Sequence, residues 1–221
     1  MPMFPYDINE LADGPVRCMY APISQTLPVD LADIIAVTDD YDPVTGWVDF
    51  GATAGPFTVG RNITTASYNI QNTTTAVLER VTEVVRSVTV AVAELRPDVV
   101  AMLEEGVATD VAAASGLNGY GKVEFGNIED LTQYRMAFLG RRAKAQGIVK
   151  EGAAADAIER GRLWAYVADR VQLQADNLQL GFAEGDLASA NVTFRLQPEP
   201  GQAAGKEHGY WIFEDAGTIP A

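Results

Sequence analysis

Histidine and cysteine are almost absent from this sequence: His208 and Cys18 are the only ones among 221 residues. A single cysteine excludes an internal disulfide and any cysteine-rich zinc site. Cys18 lies in an apolar run at residues 16–21, where a thiol serves as a small buried hydrophobe. The single histidine falls in Lys206-Glu207-His208-Gly209, which reads as a solvated turn. No other histidine is available as the base of a nucleophilic triad, and no Gly-x-Ser-x-Gly elbow is present. Lysine is missing before Lys122. Residues 1–121 hold 16 acids against 5 arginines, and residues 122–221 hold 14 acids against 11 bases, so most of the −14 net charge lies in the first part. Affinity for nucleic acid comes largely from Lys and Arg displacing counterions, so this balance excludes a sequence-reading nucleic-acid binder. No apolar run approaches the ~20 residues of a membrane span. The start, Met1-Pro-Met-Phe-Pro-Tyr-Asp7, lacks the basic leader and apolar core of a secretory signal, so synthesis in a cytoplasm is expected.

What remains is a chain long enough to bury about 70–75% of its unfolded surface without a disulfide or metal. Residues 22–45 read as irregular, punctuated by Pro22, Pro28 and Pro43 and crowded with Asp30, Asp33, Asp39, Asp40 and Asp42. Within them residues 31–37 fit either a helical turn or a strand. Residues 1–45 therefore read as an N-terminal arm or loop packed on a neighbour, and residues 46–221 as one β domain with long loops. From Trp47 onward the dominant period is two, the mark of half-buried strands. Tyr134, Met136 and Phe138 oppose Gln133 and Arg135; Val192, Phe194 and Leu196 oppose Asn191, Thr193 and Arg195. Residues 163–173 alternate less cleanly, and residues 210–213 give a short aromatic strand. Residues 77–95 also fit helical spacing, but their density of β-branched side chains favours a long strand with a bulge near Arg86. Pro97, with Asp98 beside it, starts a short helix over residues 97–105 that Gly106 stops. A second short helix is expected at residues 152–160. The fold class is mainly β, a β-sandwich or rolled antiparallel sheet with one packed short α-helix.

The candidate chemical motifs are weak. Glu104-Glu105 and Glu129-Asp130 read as solvated helix ends or turns rather than a glycosidase pair. Asp39-Asp40-Tyr41-Asp42 lacks the glycine and distal glutamate of a calcium loop. The glycines at 116, 119 and 121 match no phosphate-binding loop. Sequons at Asn62, Asn72 and Asn191 carry no meaning without a secretory route. Trp47, Trp164 and Trp211 suggest a sugar-stacking platform, yet each sits in an alternating apolar segment, and core or interface packing reads better. We expect no catalytic residues, cofactor or metal.

The stretch Trp47-Val-Asp-Phe50-Gly51-Ala-Thr53 resembles the tryptophan–hydrophobe–glycine–x–threonine stretch of the major tail tube proteins of long-tailed bacteriophages. As in those proteins, a short strand (residues 57–61), a polar strand (63–71), a long strand (77–94) and a short helix follow. The segments 191–200 and 209–214 resemble the family's closing hairpin. The resemblance implies a structural subunit of a virion tail, assembled in the bacterial cytoplasm. Six copies form a ring and contribute strands to one inter-subunit β-barrel. Rings stack head to tail into a hollow tube that conducts genomic DNA without binding it specifically, with tape-measure and tail-tip or terminator proteins as partners and no membrane. Under this reading Trp47, Phe50, Gly51 and Thr53 are family-like anchors. The hairpin over residues 63–94 lines the lumen with Thr65, Ser67, Asn69, Gln71, Glu79 and Glu83, and the helix packs outside. A monomeric β-sandwich binding module, for carbohydrate or a virion surface, is the alternative.

Overall fold

Period-two alternation becomes a nine-stranded antiparallel sheet folded into two facing layers. The computed structural model describes residues 12–36, 42–51, 53, 57–68, 78–94, 96–112, 118–126, 130–142, 148–151, 158–161, 163–174, 179–181, 189–203 and 205–214. The strands of this sheet are β1 (Ala12–Pro22), β2 (Val48–Asp49), β3 (Thr58–Tyr68), β4 (Leu78–Val92), β7 (Gln133–Arg142), β10 (Leu163–Leu173), β11 (Gln179–Gly181), β12 (Ser189–Leu196) and β13 (Tyr210–Phe213). They run in the order β2-β1-β7-β10-β12-β4-β3, with β11 on β12 and β13 on β10. Two further hairpins stand apart, β5 (Val107–Val111) with β6 (Tyr120–Glu124), and β8 (Ile148–Glu151) with β9 (Ile158–Gly161). The single α-helix, α1, spans Pro97–Leu103.

The sheet folds because β10 is shared. Its first half, residues 164–167, pairs with β13, while residues 171–173 pair with β12. One layer is β2-β1-β7-β10-β13 and the other is β12-β4-β3. Between them lies a core of Cys18, Tyr20, Phe50, Val88, Val90, Val92, Phe138, Trp164 and Phe194, closed at one side by Val99, Met102 and Leu103 of α1. Edge-to-face contacts link Tyr20 to Phe50 at 5.5 Å and Phe50 to Phe194 at 6.2 Å. Such geometry suits the ring quadrupoles. Gly140 lies opposite Trp164 on β10, and its missing side chain makes room for the indole: a Cβ there would sit 2.1 Å from the ring.

Within the arm expected over residues 1–45, of which residues 1–11 lie outside the described part, the chain joins the sheet from Ala12 onward. From Ala12 to Pro22 the chain is β1, paired along β7, with Cys18, Met19, Tyr20 and Ala21 buried. The apolar run was the signal, and it places Cys18 in the core as expected. Beyond β1 the chain returns over the other face of the same layer. Leu31, Ile34, Ile35 and Trp47 cover Met19, Ala137, Leu139, Ala165 and Val167 there. These residues pack on their own chain. Residues 31–33 form a 3-10 turn capped by Asp30, which accepts from the Ala32 N–H at 2.8 Å, with Asp33 returning the bond to Val29 and Asp30. Only the start of the 31–37 segment is thus a helical turn; Ile35 forms an antiparallel bridge with Pro43, and Val37 lies outside the described residues.

Two other expectations change. The second helix at residues 152–160 gives way at its C-terminal end to β9, which pairs with β8, while residues 152–157 lie outside the described part. The two strands expected at residues 57–61 and 63–71 are one, β3, over Thr58–Tyr68, with residues 69–71 outside the described part. The long strand stands as β4, and α1 begins with Pro97 in its first turn.

Candidate assembly surface

The β3–β4 hairpin is where the fold departs from what a closed monomer needs. β3 is an edge strand, and no described strand pairs with its outer side. Its partner β4 is core only at one end: Val88, Val90 and Val92 are buried, while residues 79–84 are all exposed. The hairpin therefore leaves the sandwich and exposes both of its faces.

Register defines those faces. One carries the pairs Val59/Val88, Arg61/Arg86, Ile63/Val84, Thr65/Val81 and Ser67/Glu79; the other carries Thr58/Thr89, Gly60/Ser87, Asn62/Val85, Thr64/Glu83 and Ala66/Arg80. The first continues the core and emerges as exposed Val59, Ile63, Val81 and Val84, the last three 42%, 54% and 41% accessible. The second is polar and runs on across β12, where the Thr89 and Thr193 hydroxyls lie 3.0 Å apart and Arg195 meets Glu83 at 3.5 Å.

The expected wet face is therefore divided. Thr65, Ser67 and Glu79 do share a face, but it is the more apolar one. Glu83 lies on the other, opposite Thr64. Asn69 and Gln71 lie outside the described residues. The cause is a bulge at Thr82, between the pairs Thr64/Glu83 and Thr65/Val81, rather than near Arg86. An extra residue reverses the alternation of all that follows. Thr82 satisfies the disturbed ladder locally, its hydroxyl donating to the Thr64 carbonyl at 3.0 Å.

The anchor residues are structural. Trp47 enters the cluster on the outer face of the first layer, and Phe50 enters the inter-layer core. The chain crosses between these faces at the sheet edge. The Phe50 N–H donates to the Cys18 carbonyl at 2.8 Å, and the Gly51 N–H donates to the Asp49 carboxylate at 2.9 Å. Gly51 takes φ +83, a left-handed conformation that glycine adopts without strain. Thr53 bridges Val92 of β4. Arg96 fastens the same corner, donating to the Asp49 carbonyl and pairing with Asp98 at 3.0 Å.

A second polar constellation, which sequence reasoning missed, is buried on the far side. Arg135 donates to the Gln25 carbonyl at 2.6 Å, the Asp169 carbonyl at 2.9 Å and the Glu199 carboxylate at 3.1 Å. Glu199 also accepts from Arg170 at 3.0 Å. The Asp169 side chain is 1% exposed, and neither carboxylate oxygen has a protein hydrogen-bond donor. Burial pushes its pKa up to about 6, with Glu199 adding to the rise and Arg135 opposing it. The neighbouring Tyr210 hydroxyl donates to the Pro28 carbonyl, and burial raises its pKa further above the ordinary phenol range. This cluster fastens residues 25–28 and the turn at Glu199 to the sheet. An open depression lined by Gln25, Leu27, Val29 and Asp33 lies at that end.

The remaining sequence candidates scatter. His208 is half-buried beside β13, with no partner on Nδ1. Glu105 accepts the Thr132 N–H at 2.9 Å, and Asp42 pairs with Arg17. Among the described residues no three His, Cys, Asp or Glu side chains gather as a metal site. Of the three tryptophans, Trp47 and Trp164 are buried, while Trp211 is 47% exposed and stacks on exposed Phe213 at 6.0 Å. No protein-family model matches the chain, and no curated protein matches it.

Proposed function

We propose that this protein is a structural subunit of a bacteriophage tail tube, assembling as six-membered rings stacked head to tail. The observation that carries the reading is the β3–β4 hairpin, a long ribbon with a free edge, both faces exposed and an apolar stripe on one of them. An unprotected edge and apolar ribbon are liabilities in a solitary protein. In a ring they become the joint: the free edge of β3 pairs with a neighbouring copy, and the closed barrel has no edges left. The polar face of Thr58, Asn62, Thr64, Ser87, Thr89 and Thr193 then suits the lumen, since hydroxyls and amides hydrate the wall without gripping phosphate. Arg195 on that face is already held by Glu83, so that among the described residues Arg80 stands there as a single cation rather than part of a cluster. At physiological salt the acidic chain's field reaches only ~8 Å, enough to discourage contact without blocking DNA transit. Head-to-tail stacking is heterologous and open-ended, so a separate ruler such as a tape-measure protein sets length, with a tail-tip complex as nucleus and a terminator as stop. The site of action is the virion tail, following assembly in a bacterial cytoplasm.

The test is association of the purified chain with rising concentration, followed by light scattering. The wild type is expected to form large particles, and Ile63→Lys with Val81→Lys to remain monomeric. Because both side chains are already exposed, the variant's melting temperature should stay within about 3 °C of the wild type. Equal association of the two proteins would remove the hairpin from the joint.

The exposed Trp211–Phe213 pair favours a second reading, a monomeric module that stacks a sugar on these rings. Glycan-array binding by a monomeric wild type, lost in Trp211→Ala, would support it.

A further inference from the structure

We infer that Arg61 and Arg86 form a carboxylate-receiving site on the apolar face of the hairpin, and that its occupant is an acidic surface of a second copy of this chain. The inference rests on the assembly reading above and names what that face takes hold of. Arg61 and Arg86 are register partners on β3 and β4, so their side chains leave the same face side by side. Directly opposed like charges destabilise a strand pair unless a counter-charge joins them. Five other arginines have one: Arg17, Arg96, Arg135, Arg170 and Arg195 each lie within 3.5 Å of a carboxylate oxygen, while among the described residues Arg80 stands alone on the opposite face of the hairpin with no like charge across from it. Among the described residues no carboxylate reaches Arg61 or Arg86, and the Arg86 Nε is buried without an acceptor.

The surroundings say what kind of group fits. Val59, Ile63, Val81 and Val84 flank the pair with exposed apolar surface on the same face. A guanidinium pair in such a collar binds a carboxylate more strongly than one in open water, because closing the contact lowers the local dielectric. An apolar collar suits a protein surface that packs as it neutralises, and it does not suit a phosphate backbone that keeps its water. Charge selects the second copy. The chain has 30 acids against 16 bases, so every approaching copy presents surplus carboxylates to these two cations. Complementarity of this kind fixes register between copies and makes association salt-dependent.

Sedimentation velocity of the full chain tests the inference. Wild-type association should weaken as NaCl is raised from about 50 to about 500 mM, where surface charge is screened. Arg61→Gln with Arg86→Gln should weaken it at least tenfold at low salt, and Arg61→Lys with Arg86→Lys should retain most of it. Arg61 is exposed, so Arg61→Gln alone leaves folding untouched and should still weaken association by about threefold or more, as expected for one charge-assisted contact. Association of both glutamine variants equal to wild type would overturn the inference and leave the assembly reading standing. A wild type that stays monomeric at every concentration and salt would overturn both. Retention of a short DNA duplex by wild type and its loss in Arg61→Gln would also overturn it, because the site would then serve nucleic acid.

Discussion

Asp169 and Gly140 carry the sharpest residue-scale consequences. The Asp169 carboxylate is buried, faces Glu199 as well as Arg135, and has its pKa raised to about 6. Its unfolded value is near ~3.9. A folded pKa above the unfolded one means the native state holds the proton more tightly. The resulting stability is full below pH ~4 and is lost as pH rises through 6. Asp169→Asn should therefore raise the melting temperature at pH 7.5 by a few °C, about what 1–2 kcal/mol gives a domain of this size. The gain should fade toward pH 4, and a calorimetric pH series checks it; a gain independent of pH would assign the effect to packing. Gly140 is a steric case. Trp164 occupies the space of its absent side chain, so Gly140→Val should cost about 1–3 kcal/mol, as overpacked cores do. Denaturant unfolding would show it as a lowered midpoint with unchanged slope. Neither residue was legible in the sequence as important. Nothing local tells an aspartate that it will face an arginine 34 residues away, or a glycine that an indole will lie on it.

At the scale of elements, the sequence was most legible where one face is dry. The alternations at Tyr134–Phe138 and Val192–Leu196 became β7 and β12 because burial enforces their pattern. The β-branched density of residues 77–95 favoured β4 over a helix for the same reason, and Pro97 marked the start of α1. Legibility failed where both faces are wet or the chain is irregular. The position of the bulge in β4 depends on pairing with β3, and its shift from Arg86 to Thr82 moved Glu83 to the opposite face. The strand before residue 22 was passed over because its partner β7 lies more than a hundred residues later. The bulge itself makes a prediction. Deleting Thr82 restores strict alternation and moves Glu79 and Val81 together to the opposite face. The core, which begins at Val88, should melt within a few °C of wild type, as surface changes do, while assembly is lost. Retained assembly in the deletion variant, measured by light scattering, would show that the outer half of the hairpin is not in the joint.

At the scale of the whole molecule, a sandwich with a well-filled core has one long ribbon that it does not cover. The fold adds an edge, an apolar stripe and a polar face on the same hairpin. The proposed ring brings these together, with edges joined between copies, the stripe and Arg61/Arg86 packed on a neighbour, and the hydroxyl-rich face turned to a channel. Negative-stain electron microscopy of the purified, concentrated protein, alone and with tape-measure and tail-tip proteins, tests that claim most directly. Hollow filaments or stacked rings with six-fold symmetry are the expected result. A monodisperse monomer under both conditions would contradict it.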